Sequence, residues 1–105
     1  MRISDAEVKN IVESIESHVQ LKDAELRLYG SRVNEKAKGG DIDLLLIVAD
    51  NDFQHALDAK YAILSLIKKS LGDQKIDFLI IKFSQLSKDP FVKLIYPGSL
   101  LIKKW

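Results

Sequence analysis

Two periods of apolar residues divide the chain into helices and strands. Near the N-terminus, Ser4 and Glu7 have the spacing of a capping box, in which each side chain accepts a hydrogen bond from a backbone N–H at the helix start. An apolar stripe at helical spacing follows, and it predicts a helix that ends near residue 20 or 21. Glu25–Tyr29 alternates at the period of a strand instead. The helical stripe consists of Val8, Ile11, Val12, Ile15 and Val19.

The middle of the chain contains its most apolar segment. The polar stretch from residue 32 to residue 40 predicts a loop with room for a short helical turn. It leads into Asp41–Val48, which is too apolar for a wet surface and therefore predicts a buried strand. A second amphipathic helix is expected to begin at Asn51 or Asp52 and to stop before Gly72.

The last third of the chain predicts one more central strand and two smaller elements. Lys75–Phe83 is the strand, Pro90 suits the first turn of a short helix that continues to about Tyr96, and Leu100–Ile102 predicts a small edge strand. The element order predicts a single α/β (α+β) domain spanning residues 1–105, a small sheet with helices covering it.

Composition narrows the function classes. The formal net charge is only +1, which weighs against nucleic acid as a partner. The chain has no cysteine and two histidines, so a bound metal is expected to take oxygen ligands, as magnesium, manganese and calcium do. The N-terminus lacks the apolar core of a secretory signal, and the longest apolar run, Leu44–Ala49, is too short to span a bilayer. We therefore expect a cytoplasmic protein that does not enter the membrane.

Three carboxylates interrupt the apolar strands. Asp41 and Asp43 lie two residues apart, so they point to the same face at a spacing of about 6.6 Å. Such carboxylates repel each other, and a divalent cation between them would relieve the repulsion. Asp77 stands in the next apolar strand, and if the two strands are neighbours, all three carboxylates converge. Asp41 has the alternative interpretation of a polar residue at a strand entrance.

The dipeptide Gly30-Ser31 closes the first strand. Glycine lets the backbone approach a phosphate closely, and free N–H groups at a helix start attract anions. Arg32 adds a guanidinium group that can bind phosphate. The alternative is a tight turn with a serine N-cap.

In combination, these residues resemble the nucleotidyltransferase superfamily of DNA polymerase β type. Its pattern is an apolar residue, Gly-Ser or Gly-Gly, a spacer, and Asp-apolar-Asp-apolar on the next strand, followed by a carboxylate on a later strand. The chain has Leu28-Tyr29-Gly30-Ser31, Asp41-Ile42-Asp43-Leu44 and Ile76-Asp77-Phe78. The resemblance implies a polymerase β-like fold with a small mixed sheet flanked by helices.

The resemblance also implies a role for each residue of the pattern. Asp41, Asp43 and Asp77 would be the catalytic residues and the ligands of two magnesium ions, with Asp77 also helping to activate the attacking hydroxyl. Gly30 and Ser31 would bind the β- and γ-phosphates of ATP. Arg32 would neutralise the leaving pyrophosphate or contact the acceptor.

Because few residues follow the third strand, the chain is similar to the minimal nucleotidyltransferases known as MNT proteins. Those proteins are typically encoded beside a helical HEPN protein, with which they form a toxin–antitoxin pair. The MNT antitoxin transfers AMP from ATP to a tyrosine of the HEPN ribonuclease. The resemblance therefore implies a protein adenylyltransferase with a HEPN-type partner.

Two alternatives remain open at this point. The chain could be a binding antitoxin that blocks its partner without catalysis, or a transferase that acts on a small molecule or RNA. The free edge of a small sheet also permits self-association. The sequence does not identify the acceptor, the nucleotide or the oligomeric state.

Overall fold

The computed structural model describes residues 3–33, 41–72 and 74–105, with the backbone alone of Ser31. Most of the predicted loop before the second strand, residues 34–40, lies outside the described residues.

The first helix, α1 (Asp5–Glu16), begins where the capping box predicts. The Glu7 backbone N–H donates to Ser4 Oγ over 3.1 Å, and the Ser4 backbone N–H donates to Glu7 Oε1 over 3.0 Å. The predicted end was wrong, because the helix stops at Glu16 rather than near residue 20 or 21. The Ser17 hydroxyl donates to the carbonyl oxygen of Ser14, which gives the backbone an alternative to continued helix. Val19 is buried although it lies beyond the helix end. Its position in the sequence fits the apolar stripe, which is why the sequence predicts a longer helix.

Four strands form one mixed sheet in the order β3-β2-β1-β4. The central strand β1 pairs antiparallel with both of its neighbours, whereas β2 and β3 are parallel. The long helix α2 (Phe53–Leu71) connects β2 to β3 and thus completes a β-α-β unit. This confirms the predicted fold class, a small mixed sheet with helices. The strands are β1 (Glu25–Tyr29), β2 (Ile42–Val48), β3 (Ile76–Lys82) and β4 (Leu100–Lys104).

The C-terminal strand is longer than expected, and hydrogen bonds of Trp105 anchor its C-terminal end. β4 runs to Lys104 rather than to Ile102, and it covers the outer side of β1. The Trp105 backbone N–H donates to the carbonyl oxygen of Ala24, and its indole N–H donates to Glu16, each over 2.9 Å. β4 therefore occupies the position in the sheet next to β1.

The two faces of the sheet are covered to different extents. Helices α1 and α2 pack against the first face, and their shared core includes Leu26, Leu44 and Phe78. The short helix α3 (Pro90–Ile95) covers part of the second face, where Val92 packs in a cluster with Leu45. β2 is buried on both faces for this reason, as its unbroken apolar run predicts.

No helix in the described part of the chain combines the length and the apolar character that crossing a bilayer requires.

The packing of α2 against the sheet generates a stability prediction. Ile67 is fully buried, whereas its neighbour Leu66 is 36% exposed. We expect Ile67→Ala to lower the free energy of unfolding by about 2–4 kcal/mol, since it leaves a cavity in the core. Leu66→Ala is the matched control, with an expected loss below about 1 kcal/mol. Urea unfolding followed by circular dichroism measures both, and equal losses would contradict this assignment of the buried face.

Candidate active site

Asp43 and Asp77 are brought together by the parallel pairing of β2 with β3. The register places Asp43 directly beside Asp77, near the N-terminal ends of the two strands. Both belong to the second face, because Asp43 shares the parity of Leu45 and Asp77 shares that of Ile81. The sequence left open whether the two strands are neighbours, and the structure shows that they are and that it places this carboxylate pair side by side.

The proximity of Asp77 affects the protonation of Asp43. Burial raises the pKa of Asp43 to about 6, with further contributions from a side-chain hydrogen bond with Asp77 and from the negative charges of Asp77 and Asp41. A positive charge on Lys75 opposes this rise only weakly. Asp43 therefore retains a proton to higher pH than an isolated aspartate.

Asp41 has a different environment from the other two. It lies one residue before β2, and its Oδ2 is 3.6 Å from the Nζ of Lys75. Among the residues that the structure describes, no three acidic or histidine side chains are close enough together to hold a metal ion by themselves. The structure thus assembles Asp43 with Asp77, while Asp41 forms an ion pair beside them.

Gly30 lies against the carboxylate of Asp43. Its φ is +76°, and it begins the 3₁₀ helix Gly30–Val33 directly after β1. A Cβ atom at this position would overlap Oδ2 of Asp43 and would lie 3.2 Å from its Cγ. Only glycine satisfies both the backbone conformation and the space that Asp43 leaves. Ser31 follows in the same 3₁₀ helix, and its side chain is outside the described residues.

Arg32 lies at the other end of a small polar network. Its Nη2 donates to Gln74 Oε1 over 2.7 Å, and Gln74 Nε2 donates to Glu7 Oε2 over 3.3 Å. The pKa of Glu7 is lowered, chiefly by its hydrogen bond with the Ser4 backbone and in smaller part by Arg32. Arg32 therefore links the 3₁₀ helix to the segment before β3, and phosphate contact by Arg32 stays a prediction.

Tyr29 is a site residue that the sequence interpretation missed. It pairs with Asp43 across β1 and β2, so Tyr29, Asp43 and Asp77 form one row across three strands. Burial and then the charges of Asp43 and Asp77 raise the pKa of the Tyr29 phenol, which stays protonated at neutral pH. The alternation of β1 contained this signal, because Leu28 faces the core and Tyr29 must face the other way.

A cavity of about 370 Å³ adjoins Asp77 at the β3 side of the sheet. Phe91 from α3 forms one wall, and its ring meets that of Tyr29 edge to face, with centroids 6.3 Å apart and planes at 80°. No sequence signal marks Phe91 as a site residue, since only the position of α3 on the sheet brings it here. The cavity is lined by Tyr29, Lys60, Asp77, Phe78, Leu79 and Phe91.

The donor set suits magnesium held jointly by protein and substrate. Mg²⁺ commonly binds one or two carboxylates and takes its remaining ligands from phosphates and water. Asp43 and Asp77 supply adjacent carboxylate oxygens, with Asp41 nearby, and a glycine turn lies directly beside them. Fold and site together have the features of a phosphoryl-transfer domain in which a carboxylate pair meets a turn able to bind phosphate.

Comparison with known proteins identifies the class more closely. Residues 7–96 match the family model of the nucleotidyltransferase domain, which is most of the chain. The protein therefore belongs to the nucleotidyltransferase domain family, whose reaction class is nucleotide transfer.

A solved structure supports the same fold. The chain is similar to the crystal structure of a putative nucleotidyltransferase from Sulfolobus solfataricus, with a TM-score of 0.60 and 18% sequence identity. The match covers 94% of this chain and 78% of the Sulfolobus chain. No curated protein matches the sequence.

The raised pKa of Asp43 predicts how stability depends on pH. Because its folded-state pKa of about 6 exceeds the ordinary value of 3.8, its stabilising contribution is complete below about pH 4 and is lost as the pH rises through 6. In metal-free buffer, Asp43→Asn should therefore stabilise the protein at pH 7.5 relative to wild type. The expected gain is about 1 kcal/mol, since partial solvation reduces the full effect of the shift.

Urea unfolding in EDTA at several pH values measures this difference. The gap between Asp43→Asn and wild type should widen between about pH 4 and pH 7. Asp58→Asn, which removes an exposed carboxylate from α2, should show no such widening. A constant gap for Asp43→Asn would contradict the assignment.

The contact between Gly30 and Asp43 predicts an energetic coupling. Gly30→Ala should cost about 1–3 kcal/mol more in the wild type than in an Asp43→Ala background, where the overlap with the carboxylate is removed. Gly72 also has a positive φ, of +78°, but a methyl group on its Cα would meet no atom within 4 Å, so Gly72→Ala should cost the same in both backgrounds. Unfolding free energies of the four-member cycles provide the test, and zero coupling for Gly30 would contradict the contact.

Proposed function

We propose that this protein transfers AMP from ATP to a hydroxyl group, and that the acceptor is a tyrosine of a HEPN-type partner protein. The observation that supports transfer most directly is the in-register pairing of Asp43 with Asp77, with Gly30 packed against Asp43. This arrangement places two carboxylates beside a glycine turn whose backbone a phosphate group can approach closely. Membership of the nucleotidyltransferase domain family agrees with that chemistry.

Asp43 and Asp77, joined by Asp41, would hold two magnesium ions together with the triphosphate. The ions would neutralise negative charge on the phosphates as it shifts toward the leaving pyrophosphate. The charges of Asp77 and Asp41 contribute to the raised pKa of Asp43, and this repulsion supports the assignment because a divalent cation would relieve it.

The remaining roles belong to residues of the chain. The backbone N–H groups of Gly30 and Ser31 bind the β- and γ-phosphates and orient the α-phosphate toward Asp77. The acceptor oxygen forms a bond to the α-phosphorus while the bond from that phosphorus to the bridging oxygen of pyrophosphate breaks. The acceptor's proton passes to the Asp77 carboxylate, and Arg32 neutralises charge on the departing pyrophosphate.

The choice of acceptor rests on the likeness of the chain to MNT proteins. Its motifs agree with theirs at Gly30, Ser31, Asp41, Asp43 and Asp77. A near-neutral net charge of +1 favours a protein acceptor over RNA, which a basic surface would attract.

A non-catalytic antitoxin is the second candidate function. It is favoured by the ion pair between Asp41 and Lys75, and by the lack of a three-acid metal cluster within the described ranges. In that case the protein would inhibit its partner by covering it, and the carboxylate pair would have no role in inhibition.

Intact-mass spectrometry of the partner distinguishes these functions. Where the neighbouring gene encodes a HEPN-type protein, that protein is incubated with the purified chain, ATP and magnesium. We expect the partner to gain one or more AMP units, and Asp43→Asn and Asp77→Asn to lower the rate at least about 100-fold, the usual effect of removing a group that stabilises transition-state charge.

Asp58→Asn serves as the matched control, because it removes a carboxylate from the exposed side of α2, and it should transfer AMP at the wild-type rate. A stable complex without any mass gain would contradict transfer to this partner and would favour the binding antitoxin. If the Asp43→Asn variant still inhibits the partner protein, that result would also favour the binding antitoxin.

A further inference from the structure

We infer that the cavity between Asp77 and Phe91 is the acceptor subsite, and that it selects an aromatic hydroxyl side chain through contact with Phe91. This inference rests on the proposed function, since it assigns the acceptor position of the same site. It adds a specificity-determining residue that lies outside the Gly-Ser and carboxylate motifs.

The direction of the reaction places the acceptor on the β3 side. In phosphoryl transfer, the attacking and leaving oxygens lie roughly in line on opposite sides of the phosphorus. Gly30, the phosphate-binding turn, follows β1 and lies against Asp43 on β2. The nucleophile therefore approaches from the opposite side, across Asp77 on β3.

That side of the site is accessible. Within the described residues, β3 is an edge strand that pairs with β2, and Asp77 is exposed. Asp77, Phe91 and Lys60 of α2 all line the cavity. No described strand pairs with the outer edge of β3, so an acceptor side chain can approach Asp77 over that edge.

The lining of the cavity has the chemistry of a phenol-binding site. Leu79 lies two residues after Asp77 on the same face, about 6.6 Å farther along the strand. Phe91 is 50% exposed, and its edge-to-face contact with Tyr29 holds its ring in place without filling the cavity. A tyrosine ring can pack on Leu79 and Phe91 while its hydroxyl reaches Asp77.

The same geometry disfavours small acceptors. When its hydroxyl is at Asp77, a serine or threonine side chain is too short to cover Leu79 and Phe91. Such an acceptor buries less apolar surface and therefore binds more weakly. Lys60 also lines the cavity, and its positive charge favours an acidic residue next to the acceptor tyrosine.

Amide chemical shifts in two-dimensional NMR spectra test the subsite without turnover. The probe is N-acetyl-L-tyrosinamide, added in the presence of magnesium and α,β-methylene-ATP, an ATP analogue whose carbon bridge between the α- and β-phosphorus prevents AMP transfer. We expect it to shift the amide signals of Leu79 and Phe91, whereas N-acetyl-L-serinamide should not. Phe91→Ala should weaken tyrosinamide binding about 5–10-fold, the effect of losing an aromatic pair and its buried area.

Leu94→Ala is the matched control variant. Leu94 is on the same helix and is 77% exposed, but it does not line the cavity, so its loss should leave tyrosinamide binding unchanged. Phe91→Leu keeps apolar bulk without an aromatic ring and should give an intermediate affinity. Unchanged binding in both Phe91 variants would overturn the inference, as would shifts at Leu79 and Phe91 that adenosine produces and tyrosinamide does not.

Transfer kinetics separate this inference from the proposed function. If the wild type adenylylates its partner, Phe91→Ala should raise the KM for that partner about 5–10-fold and leave the KM for ATP unchanged. Transfer with an unaltered partner KM would overturn the subsite and leave the proposed function standing. Failure of the wild type to transfer AMP, with tyrosinamide still bound at Phe91, would overturn the proposed function and the acceptor role of the cavity, and would leave the cavity as a phenol-binding site.

Discussion

The pairing of Asp43 with Asp77 on neighbouring parallel strands is the interaction around which the site is organised. Two carboxylates held side by side repel each other, and they persist only because the strands that contain them are fixed by apolar packing. β2 is buried on both faces beyond Asp43, and β3 follows it residue for residue. The stability of the sheet therefore offsets the electrostatic cost of placing the two carboxylates together.

Unequal covering of the two faces determines where the site meets solvent. α1 and α2 enclose the first face, whereas the six-residue α3 covers the second face only in part. The carboxylate pair lies outside that cover, and the cavity beside Asp77 has Phe91 of α3 as a wall. α3 therefore has two roles. Val92 packs with Leu45 in the core of the second face, and Phe91 forms a wall of the cavity beside Asp77.

Polar contacts join the site to segments that are distant in sequence. Arg32 reaches Gln74 just before β3, and Gln74 reaches Glu7 of the first capping box. Lys75, the next residue, approaches Asp41 at the entrance of β2. Both contacts involve residues directly before β3. The 3₁₀ helix that begins at Gly30 therefore helps to fix the start of the strand that contains Asp77.

The sequence by itself determined the local elements and the identity of the charged residues. Its capping box marks the start of α1, its alternation marks β1, and carboxylates in apolar strands single out Asp43 and Asp77, because these signals come from neighbouring residues at fixed periods. The same local reasoning extended α1 too far, since Val19 fits the stripe but is buried outside the helix.

Only the tertiary structure decided which strands are neighbours and what surrounds the carboxylates. The parallel register of β2 with β3, the ion pair of Asp41 with Lys75 and the placement of Phe91 beside Asp77 join residues that are far apart along the chain. No local period encodes such contacts. They follow from how the helices cover the sheet, which depends on packing across the whole core.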